Sequence, residues 1–250
     1  MVGEVCARLA LLYGPFAREG EENVVKLGLV LECDTGGADE LVLTCLARRL
    51  KPGTSIQAVA LGSKAAVFTK GVEAAVKLVE TDKCDLGLIV WDLKPLWSQV
   101  AAKDCEDEVA EMRKQLEAVS PATRKKIRLL CLTYELETWL IAEDRAVSTY
   151  LSTPQHKVRF KAPGDPSSKT DAKAFLNTEI TKVRGKRNRY VDYKEAIRLV
   201  KLWPDTSRVG AIDSFQRFSK LVTGQDKAAF QQTGDACADL VHQAAQMGRA

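Results

Sequence analysis

Apolar positions along the chain follow two rhythms. Short runs that are apolar almost throughout lie at 25–32, 55–61, 85–92 and 127–133. Runs of this length suit strands buried on both faces. Between them, apolar residues recur at helical spacing near 39–50, 64–80, 104–119 and 135–143. In 39–50, Leu41, Val42, Cys45, Leu46 and Leu50 share one stripe. In 104–119, Val109, Met112, Leu116 and Val119 do the same. Asp104 is placed to cap that helix, and Ser120-Pro121 to stop it. Strands alternating with helices predict βα units and a mainly parallel sheet flanked by helices, an α/β fold of Rossmann-like type.

Beyond residue 150 the pattern changes. Residues 152–169 hold Pro154, Pro163, Gly164, Pro166 and several serines, and read as a long loop. Helical patterns resume at about 170–182, 191–202, 212–223 and 227–247. The chain therefore divides into an α/β domain over 1–150 and, over 151–250, a basic loop with a helical extension packed on it.

Three of the apolar runs end on acids. Glu32 follows the first, Asp92 closes the third, and Tyr134-Glu135 follows the fourth. In an open α/β sheet, ligands gather outside the carboxyl ends of the strands. Acids there sit where a metal or a phosphate would bind, although any one of them also reads as a solvated loop acid. Gly36 and Gly37 allow a tight turn after Glu32, and Glu40 falls in the first turn of the next helix. Hard cations such as Mg²⁺ or Mn²⁺ take one or two carboxylates plus water and substrate phosphate. Glu32, Asp92 and Glu135 are the candidate metal ligands and catalytic acids.

Charge sharpens this picture once it is divided. Residues 1–150 carry 19 Lys/Arg and 23 Asp/Glu, whereas residues 151–250 carry 18 and 10. The basic excess lies within 157–201. It is densest at 182–189, where Lys182, Arg184, Lys186, Arg187 and Arg189 stand without an acid. Such a block reads as a nucleic-acid footprint or as a solvated basic loop.

Other chemistries lack their parts. No dinucleotide or P-loop glycine pattern is present. The two histidines, His156 and His242, have no suggestive neighbours for a nucleophilic mechanism. Glu106, Asp107, Glu108 and Glu111 suit the start of a helix, where acids oppose the macrodipole. The seven cysteines are odd in number and none pair as Cys-x-x-Cys, so they read as reduced core residues in a cytoplasmic protein. No apolar stretch approaches the roughly 18 residues of a membrane span. Arg8 interrupts the apolar run near the start, which argues against a secretory signal.

Several segments carry a resemblance. Residues 29–32, with Glu40 on the helix that follows, resemble the opening motif of TOPRIM-type domains, and residues 88–92 resemble the strand leading to the TOPRIM Asp-x-Asp. Residues 134–143, Tyr-Glu-Leu-Glu-Thr-Trp-Leu-Ile-Ala-Glu, are similar to the Glu-Leu-Glu-Ala-Trp-Leu signature of a bacterial TOPRIM-related family (domain of unknown function family 4276). Tyr193-Lys194 and Ser214-Phe215-Gln216-Arg217-Phe218 resemble that family's Tyr-x-Lys and Ser-Phe-x-Arg-Phe motifs. The family is related to the nuclease domains of overcoming-lysogenisation-defect proteins.

The resemblance implies a Mg²⁺-dependent nuclease acting on nucleic acid, with an ATPase partner protein encoded nearby. It implies Glu32 as general acid/base or metal ligand, Asp92 as metal ligand, Glu135 or Glu137 as a further acid, and Lys194 as a phosphate contact. Two departures stand out. Cys33-Asp34 replaces the glycine after the first glutamate, and Lys94 replaces the second Asp of Asp-x-Asp. A lysine there takes the room of one cation and opens the alternative of a non-catalytic binding module. Phe215, Phe218 and Tyr193 are expected as core anchors.

Overall fold

The computed structural model of the chain describes residues 25–97 and 102–247. The stretch weighed above as a leader lies outside the described residues. Four strands form one sheet: β1 (Lys26–Leu31), β2 (Ser55–Ala60), β3 (Leu86–Asp92) and β4 (Ile127–Leu132). Their order is β2-β1-β3-β4 and every pairing is parallel. Leu29 lies opposite Ala58 on one side and Leu88 on the other. The α/β expectation holds, and each expected strand is present to within about a residue.

The apolar runs are explained by cover on both faces. Successive residues of a strand point to opposite faces. Leu27, Leu29, Leu31, Leu88, Val90, Leu130 and Leu132 face one core. Val30, Ile89, Trp91, Ile127 and Cys131 face the other. α1 (Ala38–Leu50) joins β1 to β2 and packs in the first core. α2 (Lys64–Glu80), α3 (Cys105–Leu116) and α4 (Pro121–Arg124) lie on the second side. Asp104 caps α3 as expected, its Oδ1 accepting the amides of Glu106 at 2.9 Å and Asp107 at 3.0 Å.

The remaining helices are α5 (Glu137–Ala142), α6 (Asp144–Leu151), α7 (Ala172–Arg184), α8 (Asp192–Lys201), α9 (Asp213–Thr223) and α10 (Ala238–Met247). α8, α9 and α10 pack against α1. That second cover explains why α1 buries residues 41–47 and 49–50 rather than a single stripe. One hydrophobic core thus runs from Leu27 in the sheet to Ala244 in α10. Arg49 is buried there, with no acid paired to it among the described residues. Its guanidinium donates to Val200 O at 2.8 Å and Trp203 O at 2.6 Å and lies 3.7 Å over the Phe230 ring. Burial lowers its pKa to about 10.

Three expectations are corrected. The pattern at 135–143 is not one helix. α5 starts at Glu137, and Glu143 leaves helical geometry before α6 begins. The helix expected over 227–247 shortens to a 3-10 turn, Gly234–Cys237, and α10. A Cβ at Gly234 would collide with Lys201 O, so close packing on the end of α8 dictates the turn. Four cysteines are not thiols: Cys45 bonds to Cys237, and Cys105 to Cys131. Both pairs are made by tertiary packing, the first across 192 residues, and spacing along the sequence carries no trace of that. Among the described residues, no helix is long and apolar enough to cross a membrane.

Candidate carboxylate site and basic groove

The chain leaves β1 toward β2 on one side and later returns to β3 on the other. The carboxyl ends of β1 and β3 therefore flank the switch point where open α/β sheets bind ligands. Glu32 and Asp92 stand there side by side. Glu32 Oε2 accepts the Asp92 amide at 3.2 Å. Burial raises the Glu32 pKa to about 7, against the lowering pull of that amide and of the Lys64 ammonium. Asp92 Oδ1 is buried with no hydrogen-bond partner among the described residues. Its carboxyl is pushed well above the usual range, first by burial and then by Asp39, Glu137, Glu32 and Glu135.

The site therefore gathers five acids. Asp39, in the first turn of α1, is raised to about 6 by burial and by Asp192. Glu137 opens α5, is buried, and is raised to about 8 by burial. Glu135 is raised as well, mainly by burial. Tyr134, with φ of 65°, turns the chain from β4 toward α5 and sets these two acids over the strand ends. The nearby turn is tight for a different reason. Gly36 has φ of 74°, its amide donates to Glu40 Oε2 at 2.8 Å, and Met247 of α10 covers it.

Lys173, in the first turn of α7, is the cation that reaches this set. Its amide donates to Glu135 Oε1 at 2.5 Å, and its ammonium pairs with Asp192. Its charge lowers the pKa values of Asp39, Glu135 and Glu137. Lys94 does not pair with Asp92. It is exposed, with Nζ 6.0 Å from the centroid of the Tyr134 ring. The buried lysine nearby is Lys64, which pairs with Glu108 at 2.7 Å and donates to Leu93 O at 2.8 Å and Pro95 O at 2.7 Å. Glu108 also accepts Trp91 Nε1 at 2.7 Å and the Trp97 amide at 2.8 Å. Glu108 lies in the first turn of α3, as its position suggested, and is also a buried anchor for the loop after β3.

All five acids offer hard oxygen donors, and the bare Asp92 oxygen is of the kind a divalent cation takes. Among the described residues, no three His, Cys, Asp or Glu side chains close into a metal cage.

The basic segment forms one wall of a groove of about 600 Å³ between the end of α7 and α8. Arg184, Lys186, Arg187, Arg189, Lys194 and Arg198 line it. Arg184 is tied down, with Nη1 2.6 Å from Glu195 Oε1 and its guanidinium 4.3 Å from the centroid of the Tyr150 ring. Lys186, Arg187, Arg189 and Arg198 are exposed and make no ion pair among the described residues. Lys182 is not part of the lining; it pairs with Glu179 at 2.5 Å. Lys194 lies in this groove rather than among the carboxylates. A second cavity, of about 330 Å³, is lined by Glu135, Asp171, Lys173, Asn177, Arg189 and Tyr190. Arg189 lines both.

The structure thus brings Glu32, Asp92 and Glu135 to one end of the sheet, and Lys194 to the basic segment. Sequence reasoning missed Asp39, Lys173 and Arg198. Arg198 carried a signal, because it stands four residues after Lys194 and so shares its helix face. Asp39 and Lys173 carried none, since they meet the strand ends only through packing. Fold and site together define an open α/β protein with strand-end carboxylates at its switch point and a basic groove beside them. The chain matches no protein-family model, no curated protein and no solved structure.

Proposed function

We propose that this is a TOPRIM-like protein that acts on nucleic acid, as a metal-dependent nuclease of a bacterial defence or DNA-processing system. The observation that carries the reading is a groove of six cations that shares Arg189 with the cavity holding Glu135, in a protein that gathers carboxylates at its strand ends. Polyanion binding explains the cations gathered along the groove, and phosphodiester chemistry explains the acids gathered at the strand ends. The motif resemblance adds order and spacing to both.

In this reading Arg187, Arg189 and Lys194 hold phosphates of the backbone in the groove. Glu32, with a pKa near 7, is suited to take or give a proton near neutral pH. Asp92 and Glu32 would hold Mg²⁺ or Mn²⁺, which when bound polarises a phosphoryl oxygen or activates water. An ATPase partner and a cytoplasmic setting belong to the same proposal. Glu32→Gln should abolish Mn²⁺-dependent cleavage of DNA while the circular dichroism spectrum stays unchanged. Cleavage that survives Glu32→Gln would sink the assignment.

A second reading keeps the groove and drops the cleavage, leaving a binding module of a larger assembly. Two observations favour it: Lys94 stands where a second acid belongs, and the carboxylates do not close into a cage. Calorimetry separates the two readings. The nuclease binds Mn²⁺ and loses it in Glu32→Gln, whereas the module binds nucleic acid and no metal.

A further inference from the structure

The groove between α7 and α8 is built for a phosphate backbone rather than for bases, an inference that rests on the nucleic-acid reading above. Its cations stand on two walls. Arg184, Lys186, Arg187 and Arg189 come from the end of α7 and the turn after it, and Lys194 and Arg198 come from α8. The one acid in the lining, Glu195, does not oppose a polyanion. It is held by Arg184 at 2.6 Å, by the Tyr150 hydroxyl at 2.6 Å and by the Val191 amide at 2.9 Å. Five cations therefore remain for a ligand. Among the described residues, no aromatic residue lines the groove. The Tyr150 and Tyr193 rings lie against Arg184 and Lys194. Proteins that hold single strands pair such a groove with aromatic platforms on which bases stack. A duplex hides its bases and presents a denser line of phosphates, so charge alone suffices to hold it.

We propose that this groove grips the sugar–phosphate backbone of double-stranded nucleic acid without reading its sequence, and that Arg189 leads the backbone toward Glu135. Arg198, outside the basic segment visible in the sequence, is then a full member of the interface.

The test is fluorescence anisotropy of the full chain with labelled duplex DNA and duplex RNA of two unrelated sequences, and with the matching single strands, across a KCl series. Duplexes of both sequences should bind alike and tighter than the strands. The log–log salt slope should lie near about −4.5, five contacts at about −0.9 each. Lys194→Ala with Arg198→Ala should flatten the slope by about 2. Both sites are on the surface, and circular dichroism will confirm the fold. Tighter binding of a single strand, or a tenfold preference between sequences, overturns this proposal and leaves the nucleic-acid reading standing. An unchanged slope in the double variant also overturns it, by moving the contact elsewhere. Binding of neither duplex nor strand overturns both.

Discussion

Glu137 begins α5 with its carboxyl buried and its pKa raised from 4.5 to about 8. Glu32, at about 7, and Asp39, at about 6, are displaced the same way. Between about pH 4.5 and 8 the folded chain keeps protons on these groups that the unfolded chain has lost. The unfolded state binds fewer protons in that window, so stability falls as pH rises through it. The thermal midpoint should therefore drop between pH 5 and pH 8, and Glu137→Gln should shrink that drop. Lys173→Met should enlarge it, because the cation that lowers Asp39, Glu135 and Glu137 is gone. A midpoint that climbs toward pH 8 would contradict the burial of these acids. At this scale the sequence showed Glu32, Asp92 and Glu135, because strand ends can be read from apolar runs. It did not show that Lys64 pairs with Glu108, since a buried ion pair leaves no mark on local pattern.

Trp139 on α5 shows what holds the elements together. Its indole N–H donates to Ser214 Oγ at 2.9 Å, and its ring meets Phe215 edge-on at 5.3 Å and Phe218 at 5.7 Å. Two of the motifs in the resemblance, at 134–143 and 214–218, thus meet in one contact between α5 and α9. The core role expected for Phe215 and Phe218 holds, and Tyr193 is only half-buried. Trp139→Ala should cost about 3–5 kcal/mol in chemical denaturation. Ser214→Ala should cost about 1–3 kcal/mol, because it strands a buried donor. A loss below 1 kcal/mol for Trp139→Ala would mean that α9 does not depend on this seat. Strand limits were legible because both faces of the sheet are covered and the runs stop where cover stops. The break at Glu143 was not legible. Its local pattern stays helical, while Arg145 draws its carboxylate aside at 2.6 Å and holds Asp205 at 2.9 Å.

Over the whole molecule, the acidic first part and basic second part share one core, and Cys45–Cys237 ties them covalently from α1 to the turn before α10. α10 in turn lays Met247 over Gly36, next to the strand-end acids. The division of charge was plain in the sequence. The shared core was not, because helical periodicity shows that a face is apolar without showing what covers it. A crosslink closing so long a loop restrains the unfolded chain strongly, and its removal typically costs about 2–5 kcal/mol. Cys237→Ala should lower the unfolding free energy by that amount in chemical denaturation while the fold persists on its remaining core contacts. The direct check is a thiol count on protein denatured without reductant. Four of the seven cysteines should fail to react, and all seven should react once reductant is added. Seven reactive thiols before reduction would mean the pairs do not form, and Cys237→Ala should then cost little. Intact pairs point the other way on setting, because structural disulfides persist chiefly in oxidising compartments. That result would weigh against the cytoplasmic reading while leaving groove and carboxylates as they stand.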